Sequence, residues 1–261
     1  MNGGKHHDRL GWSLVWSDEF DGPAGAPPGS DTWRPEVGGH GWGNDELQYY
    51  TDTVDNASLD GNGNLAITVR RSDPGLRDRR FGGRGYTSAR LVTKDRVAFS
   101  YGLVRTRIRL PRGRGLWPAF WMLGQDIDHV GWPRCGEIDV MENFGGEPGL
   151  VHGTVHGPGY AGQAGITTQH DARTRLGDDF HVYSVQWEPD RIRWYFDDEL
   201  YGTVTPADLR GKPWVFDHDF FLLLNVAVGG TFSQRPDDTL DLPQSMLVDY
   251  VRVYAPEQSG P

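Results

Sequence analysis

Apolar and polar residues alternate with a period of two along much of this chain, as they do in strands that turn one face to a core. In residues 64–71, Leu65, Ile67 and Val69 fall on one side and Ala66 and Thr68 on the other. The split is sharper in residues 101–111, where Val104, Thr106, Ile108 and Leu110 share one face and Arg105, Arg107 and Arg109 share the opposite one. That pattern predicts an antiparallel strand with a solvated outer face. Residues 181–202 read as two strands joined at Glu188-Pro189-Asp190, the second ending in the turn-forming pair Asp197-Asp198. The run FFLLLNVAV (220–228) is apolar on both faces and predicts a central strand covered on both sides. MLVDYVRVY (246–254) predicts a closing strand.

Helical periodicity is confined to short pieces such as TPADLRGK (205–212), about one turn. Residues 72–85 and 157–174 read as polar loops, and 126–132 as another loop. Strands of one character continue across all of them, and the chain has no internal repeat, so they are not linkers between independent domains. Many strands, frequent turn residues and little helix predict a single β-sandwich or barrel.

Composition narrows what such a domain could bind. The chain has 26 basic and 36 acidic residues, a net charge of −10, and no run of Lys or Arg. The electrostatic footprint of a nucleic-acid partner or an anionic membrane is therefore missing. Ten Trp, ten Tyr and eleven Phe instead offer flat apolar faces to a neutral ligand. The lone Cys135 allows no intrachain disulfide and places the protein in no compartment. No apolar run approaches the roughly 20 residues of a membrane helix, and MNGGKHHDRLGW lacks the apolar centre of a signal peptide. Residues 1–10 read as a flexible segment or a remnant left after signal removal, 11–256 as one domain, and 257–261 as a tail.

The candidate chemistry lies in GEIDVMEN (136–143), which places Glu137, Asp139 and Glu142 among residues that otherwise read as a buried strand. Strict alternation puts Glu137 and Asp139 on one face but turns Glu142 into the core, where an unpaired carboxylate is costly. One extra residue, a β-bulge at Val140 or Met141, returns Glu142 to the face of Glu137. Two carboxylates so placed, with a third between them, suit acid/base and nucleophilic work on a glycosidic bond. A calcium or magnesium site is the competing reading, but such ions take more oxygens, commonly from a loop. HGTVH (152–156) has a zinc-like His spacing only on a helix. On a strand the four-residue step spans about 13 Å, too far for one shared ion.

GEIDVMENFG resembles the active-site signature of glycoside hydrolase family 16, and the surrounding text is similar to the family's bacterial laminarinases. The likeness runs from LVWSDEFDG through WGNDELQYYT, GLWPAFWML, VHGTVHGPGY and FFLLLNVAVGG to MLVDYVRVY, nearly the whole chain. It implies an all-β jelly-roll sandwich of two antiparallel sheets with an open cleft on the concave face. It also implies an endo-acting, retaining β-1,3-glucanase with Glu137 as nucleophile, Glu142 as general acid/base and Asp139 tuning the nucleophile. The physical expectation for Glu142 is a raised pKa, supplied by a neighbouring carboxylate.

By the same resemblance Asn44 and Arg90 hold sugar hydroxyls, Trp117 and Trp121 line the cleft, and His156 lies near the acid/base. Trp132 is counted as a further aromatic platform. Catalysis calls for no cofactor. A structural calcium away from the cleft is implied, held by the backbone carbonyls of Glu19 and Gly61 and by Asp249. A β-glucan partner, a monomer and secretion are the corresponding expectations. A galactan hydrolase of the same family and a non-catalytic glucan-recognition module are the alternatives. Both glutamates are present, which weighs against the second.

Overall fold

The structure is a computed structural model that describes residues 11–72 and 82–257. In chain order its strands begin with β1 (Trp12–Asp18), β2 (Arg34–Pro35), β3 (Gln48–Tyr50), β4 (Ala57–Leu59), β5 (Leu65–Arg71) and β6 (Tyr86–Ser88). They continue with β7 (Arg90–Val92), β8 (Ala98–Phe99), β9 (Gly102–Arg109), β10 (Leu116–Gly124), β11 (Glu137–Glu142) and β12 (Leu150–His156). The last are β13 (Ile166–Asp171), β14 (His181–Glu188), β15 (Arg191–Phe196), β16 (Glu199–Val204), β17 (Phe220–Val228) and β18 (Gln244–Pro256).

One sheet runs β16-β15-β14-β9-β18-β5-β6-β3, with β1 on β18 and β4 on β5. The other runs β13-β12-β11-β10-β17-β7-β2, with β8 on β17. Pairing among the described strands is antiparallel except between β3 and β6. The inner faces meet in one core, to which the first sheet contributes Ile67, Val104, Ile108 and Val251 and the second Phe120, Ile138, Leu222 and Leu224. Removing each such side chain from water stabilises the fold by about 1.5–3 kcal/mol. The arginines of β9 lie on the outer face as their alternation predicts: Arg105 pairs with Asp198 and Arg107 with Asp249.

β17 is buried along its whole length because both its faces are covered. Leu222, Leu224, Val226 and Val228 enter the core. Phe221 and Leu223, on the other face, join Val92, Leu123 and Cys135 in a smaller apolar cluster. Farther along that face Asn225 and Ala227 line a cleft. The outer side of the second sheet is thus part sealed and part open.

The bulge is in β11. β10 pairs Phe120 with Met141 and Trp121 with Asp139, which leaves Val140 as the extra residue. Against β12, Asp139 faces Thr154 and Glu142 faces His152, so Val140 and Met141 together oppose Gly153. Both are in the core, and Glu142 returns to the face of Glu137 and Asp139. Gly153 is required by close packing: a Cβ there would stand 2.3 Å from Trp194 Cδ1. The indole that approaches so closely donates from Nε1 to the Asp139 carbonyl at 2.8 Å.

Two loop expectations need adjustment. The segment 157–174 contains β13, an edge strand whose alternate positions are only half-buried. Its Thr167 and Gln169 face the cleft, while the Thr168 hydroxyl donates to the Tyr201 carbonyl of the other sheet. Polar residues therefore serve both its faces, and no apolar alternation marks it. Residues 126–132 contain a four-residue helix, α1 (Ile127–Val130), with no buried side chain to give it a periodic signature. The loop 72–85 falls largely outside the described residues. The expected single turn near 205–212 is a 3-10 turn, Pro206–Leu209, closed by a reciprocal capping box between Thr205 and Asp208.

Candidate active site

Along the open part of the second sheet, β10, β11, β12 and β17 direct alternate residues into one cleft of ≈ 690 Å³. Glu137, Asp139 and Glu142 form its floor beside Trp117, Trp121 and His156. Each carboxylate has its own partners. Trp132 Nε1 donates to Glu137 Oε2 at 2.7 Å, and Trp117 Nε1 donates to Glu142 Oε1 at 2.9 Å. Asp139 lies beside Glu137 and Thr154 beside Glu142 on the same cleft surface. The backbone of Asp139 is held from beneath by Trp194, so the middle acid is the best anchored of the three.

The sequence placed His156 near the acid/base, but its Nε2 lies closest to the other two acids, 3.3 Å from Asp139 Oδ2 and 3.6 Å from Glu137 Oε1. The register explains this, since β12 sets His156 directly opposite Glu137. Trp132, taken as a sugar platform, is 48% exposed yet spends its N–H on Glu137. It can orient the carboxylate while still offering a ring face.

Arg90 is sandwiched between two indoles, its guanidinium 4.8 Å from the Trp42 ring and 4.7 Å from that of Trp121. Its Nε donates to Glu36 at 2.6 Å. Asn44 lines the cleft and reaches Glu46 Oε1 at 3.3 Å. Glu46 heads a buried chain that the sequence reading missed. It accepts from Gln48 and from Tyr50 Oη; Asn225 Nδ2 donates to Tyr50 Oη; and Trp121 Nε1 donates to Asn225 Oδ1 at 2.7 Å. Burial raises the Glu46 pKa against these bonds and the nearby Arg90 charge. The one polar residue inside FFLLLNVAV was the available signal for Asn225. Phe144 and Phe232, also unforeseen, pack against Trp117 with centroids at 5.5 and 5.6 Å.

The three positions expected to hold calcium lie away from this cleft. Asp249 bonds Arg107 at 2.6 Å, and the Glu19 carboxylate makes two bonds to Arg252. Gly61 has φ +80°, and its Cβ position is closed off by Ala24.

The family model for glycosyl hydrolases family 16 matches residues 44–237, a span that contains all three cleft carboxylates. The chain belongs to family 16. A Rhodothermus marinus "Beta-glucanase" is 44% identical over 255 residues, covering 93% of this chain and 85% of that protein. The Pyrococcus furiosus endo-beta-1,3-glucanase structure superposes with a TM-score of 0.87 at 45% identity, covering 95% of this chain and 96% of that one. The Thermotoga maritima laminarinase catalytic domain gives 0.86 at 44% identity, covering 95% and 99%. The jelly-roll sandwich expected from the sequence is the fold of these family 16 neighbours.

Burial is the first cause of every pKa shift in this family 16 site. It pushes the Glu137 carboxyl up to about 8, helped by the Asp139 charge and opposed by His156. Asp139 is raised well above its ordinary value by burial and then by Glu142. Glu142 is raised by burial, against His156, Trp117 and Thr154. The raised pKa expected of Glu142 is thus present, but its cause is desolvation, and no neighbouring carboxylate contributes to raising it. Three such acids do not all ionise near neutrality, and the cluster retains proton at the pH where a general acid must hold one.

That arrangement costs stability. With folded pKa values above the unfolded ones, the cost is absent below about pH 4.5, grows as the unfolded chain ionises first, and for Glu137 is complete above about pH 8. Glu137→Gln keeps an acceptor for Trp132 and removes the ionisation. Its melting temperature should exceed that of the parent by several degrees at pH 8 and match it at pH 4. A variant that melts lower than the parent at pH 8 would contradict this electrostatic account.

Proposed function

We propose that this chain is an endo-acting, retaining β-1,3-glucanase. The observation that carries the reading is the bulged β11, which brings Glu137, Asp139 and Glu142 to one cleft-facing surface among aromatic side chains. The glucanase names of its family 16 relatives support the substrate class.

In this mechanism Glu137, oriented by Trp132, attacks the anomeric carbon as the bond to the leaving oxygen breaks. Glu142 gives its proton to that oxygen, and Trp117 holds the carboxyl in place through the exchange. Once Glu137 is esterified its charge is gone, and the negative Glu142 takes a proton from water, which attacks the same carbon from the face the leaving group vacated as the ester bond breaks and frees the Glu137 carboxylate. Two inversions leave the β configuration. Asp139, beside Glu137 and anchored at its carbonyl by Trp194, tunes the nucleophile through its charge. Trp117, flanked by Phe144 and Phe232, and Trp121, flanked by Arg90, present flat faces to successive sugar rings along the cleft.

A polymer substrate does not cross a membrane, so the reading places the enzyme outside the cell, and a site built within one chain needs no second subunit. Laminarin should be cut at internal bonds to a ladder of oligosaccharides whose first anomers, followed by proton NMR, are β. Glucose alone from the first minutes, or α-anomers first, would overturn the reading.

Calcium has no part in this chemistry. The carbonyls of Glu19 and Gly61 with the Asp249 carboxylate are donors of the hard-oxygen type calcium takes, and an ion there has to displace Arg107 from Asp249. On this proposal added calcium raises the melting temperature and EDTA returns it. Identical melting in both leaves Asp249 with Arg107 and removes the proposal.

A further inference from the structure

We propose that Glu137, Asp139 and His156 also form a chelating site for a borderline divalent transition-metal ion of the zinc type, and that an ion held there blocks the cleft. One donor atom from each residue lies within 4.8 Å of the others. His156 Nε2 stands 3.3 Å from Asp139 Oδ2 and 3.6 Å from Glu137 Oε1. Both separations exceed the usual N–H···O bond of about 2.9–3.0 Å. They match the edges of a metal tetrahedron instead, because ligand bonds of about 2.0–2.2 Å set donor atoms roughly 3.3–3.6 Å apart.

A second observation points the same way. Asp139 is 3% exposed, yet its Oδ2 makes no hydrogen bond among the described residues. An orphaned buried oxygen costs free energy unless something occupies the point it shares with Glu137 and His156. A divalent ion would satisfy it and offset the repulsion that Glu137 and Asp139 exert on each other. Three protein ligands leave the fourth position open to the cleft, where a water fits.

The donor set selects the ion. An imidazole with two carboxylates suits zinc, copper or nickel, whereas calcium and magnesium take all-oxygen shells. This site is therefore distinct in place and chemistry from the one involving Asp249. His156 Nδ1 has no hydrogen-bond partner among the described residues, so the ligand lacks the outer support that a dedicated zinc site gives its histidines. Binding is accordingly reversible by a chelator. Because the ion uses the carboxylate that must attack the sugar, metal and glucan exclude each other.

The binding half of the proposal is independent of the glucanase reading, and the blocking half rests on it. Calorimetric titration of the full chain with ZnCl2 tests the first, using the parent, His156→Gln, Glu137→Gln and, as a control on exposed α1, His129→Gln. The parent and the control should share a site that is at least about tenfold weaker in the other two variants. Zinc held elsewhere on the chain adds the same background to all four. Melting curves establish that each variant is folded, and the two ligand variants are independent of each other. Equal zinc affinity in all four proteins, or none in the parent, overturns the site. Initial rates on laminarin test the second half: ZnCl2 should raise KM at constant kcat, and EDTA should restore the rate. Zinc binding with unchanged KM overturns the blocking. A parent that binds zinc but cleaves no laminarin sinks the glucanase reading and leaves the site standing.

Discussion

Everything in the cleft depends on one break in the alternation of a strand. A regular β11 could present Glu137 and Asp139 together, but Glu142 would then point among Phe120, Leu222 and their neighbours. Inserting Val140 removes that conflict, and three features of the surrounding core hold the insertion in place. Gly153 leaves room opposite it, Trp194 fills that room, and the indole N–H bonds the Asp139 carbonyl at 2.8 Å. Side chains from the first sheet thus reach through the sandwich to fix the geometry of carboxylates on the far side of the second.

The same construction sets the electrostatics. Three acids on a mostly buried surface cannot shed all their protons near neutrality, and desolvation is the largest cause in each case. The protein keeps the cluster workable with donors placed on particular oxygens, Trp132 on Glu137 and Trp117 on Glu142, and with His156 close to Glu137 and Asp139. These groups favour ionisation where burial opposes it, so the cluster neither locks as neutral acids nor ionises completely. Folding stability is lower for it, as is common where a binding surface needs charge that a core would exclude.

Much of this was legible in the sequence because two strong rules met in one place. Alternation set the faces of β9 and of β11 as far as Asp139, and the cost of a buried carboxylate demanded a bulge at Val140 or Met141. What remained hidden was information carried between strands. The position of His156 beside Glu137 depends on the register of β12, which no local pattern encodes. Trp132 was counted only as a further aromatic platform, and its bond to Glu137 comes from the path of the loop around α1. β13 escaped notice because an edge strand with polar work on both faces needs no apolar alternation. The chain from Glu46 to Trp121 joins residues some 75 positions apart through Tyr50 and Asn225, and only folding reveals it.

The bulge divides labour among three acids so that, in the proposed mechanism, Glu137 alone forms the bond to sugar. A 2-deoxy-2-fluoro laminaribiosyl donor with an activated leaving group slows breakdown of the glycosyl-enzyme, so that the labelled protein can be digested and the modified residue read by mass spectrometry. One sugar per chain, on Glu137, is expected. A label on Asp139 or Glu142 would contradict it.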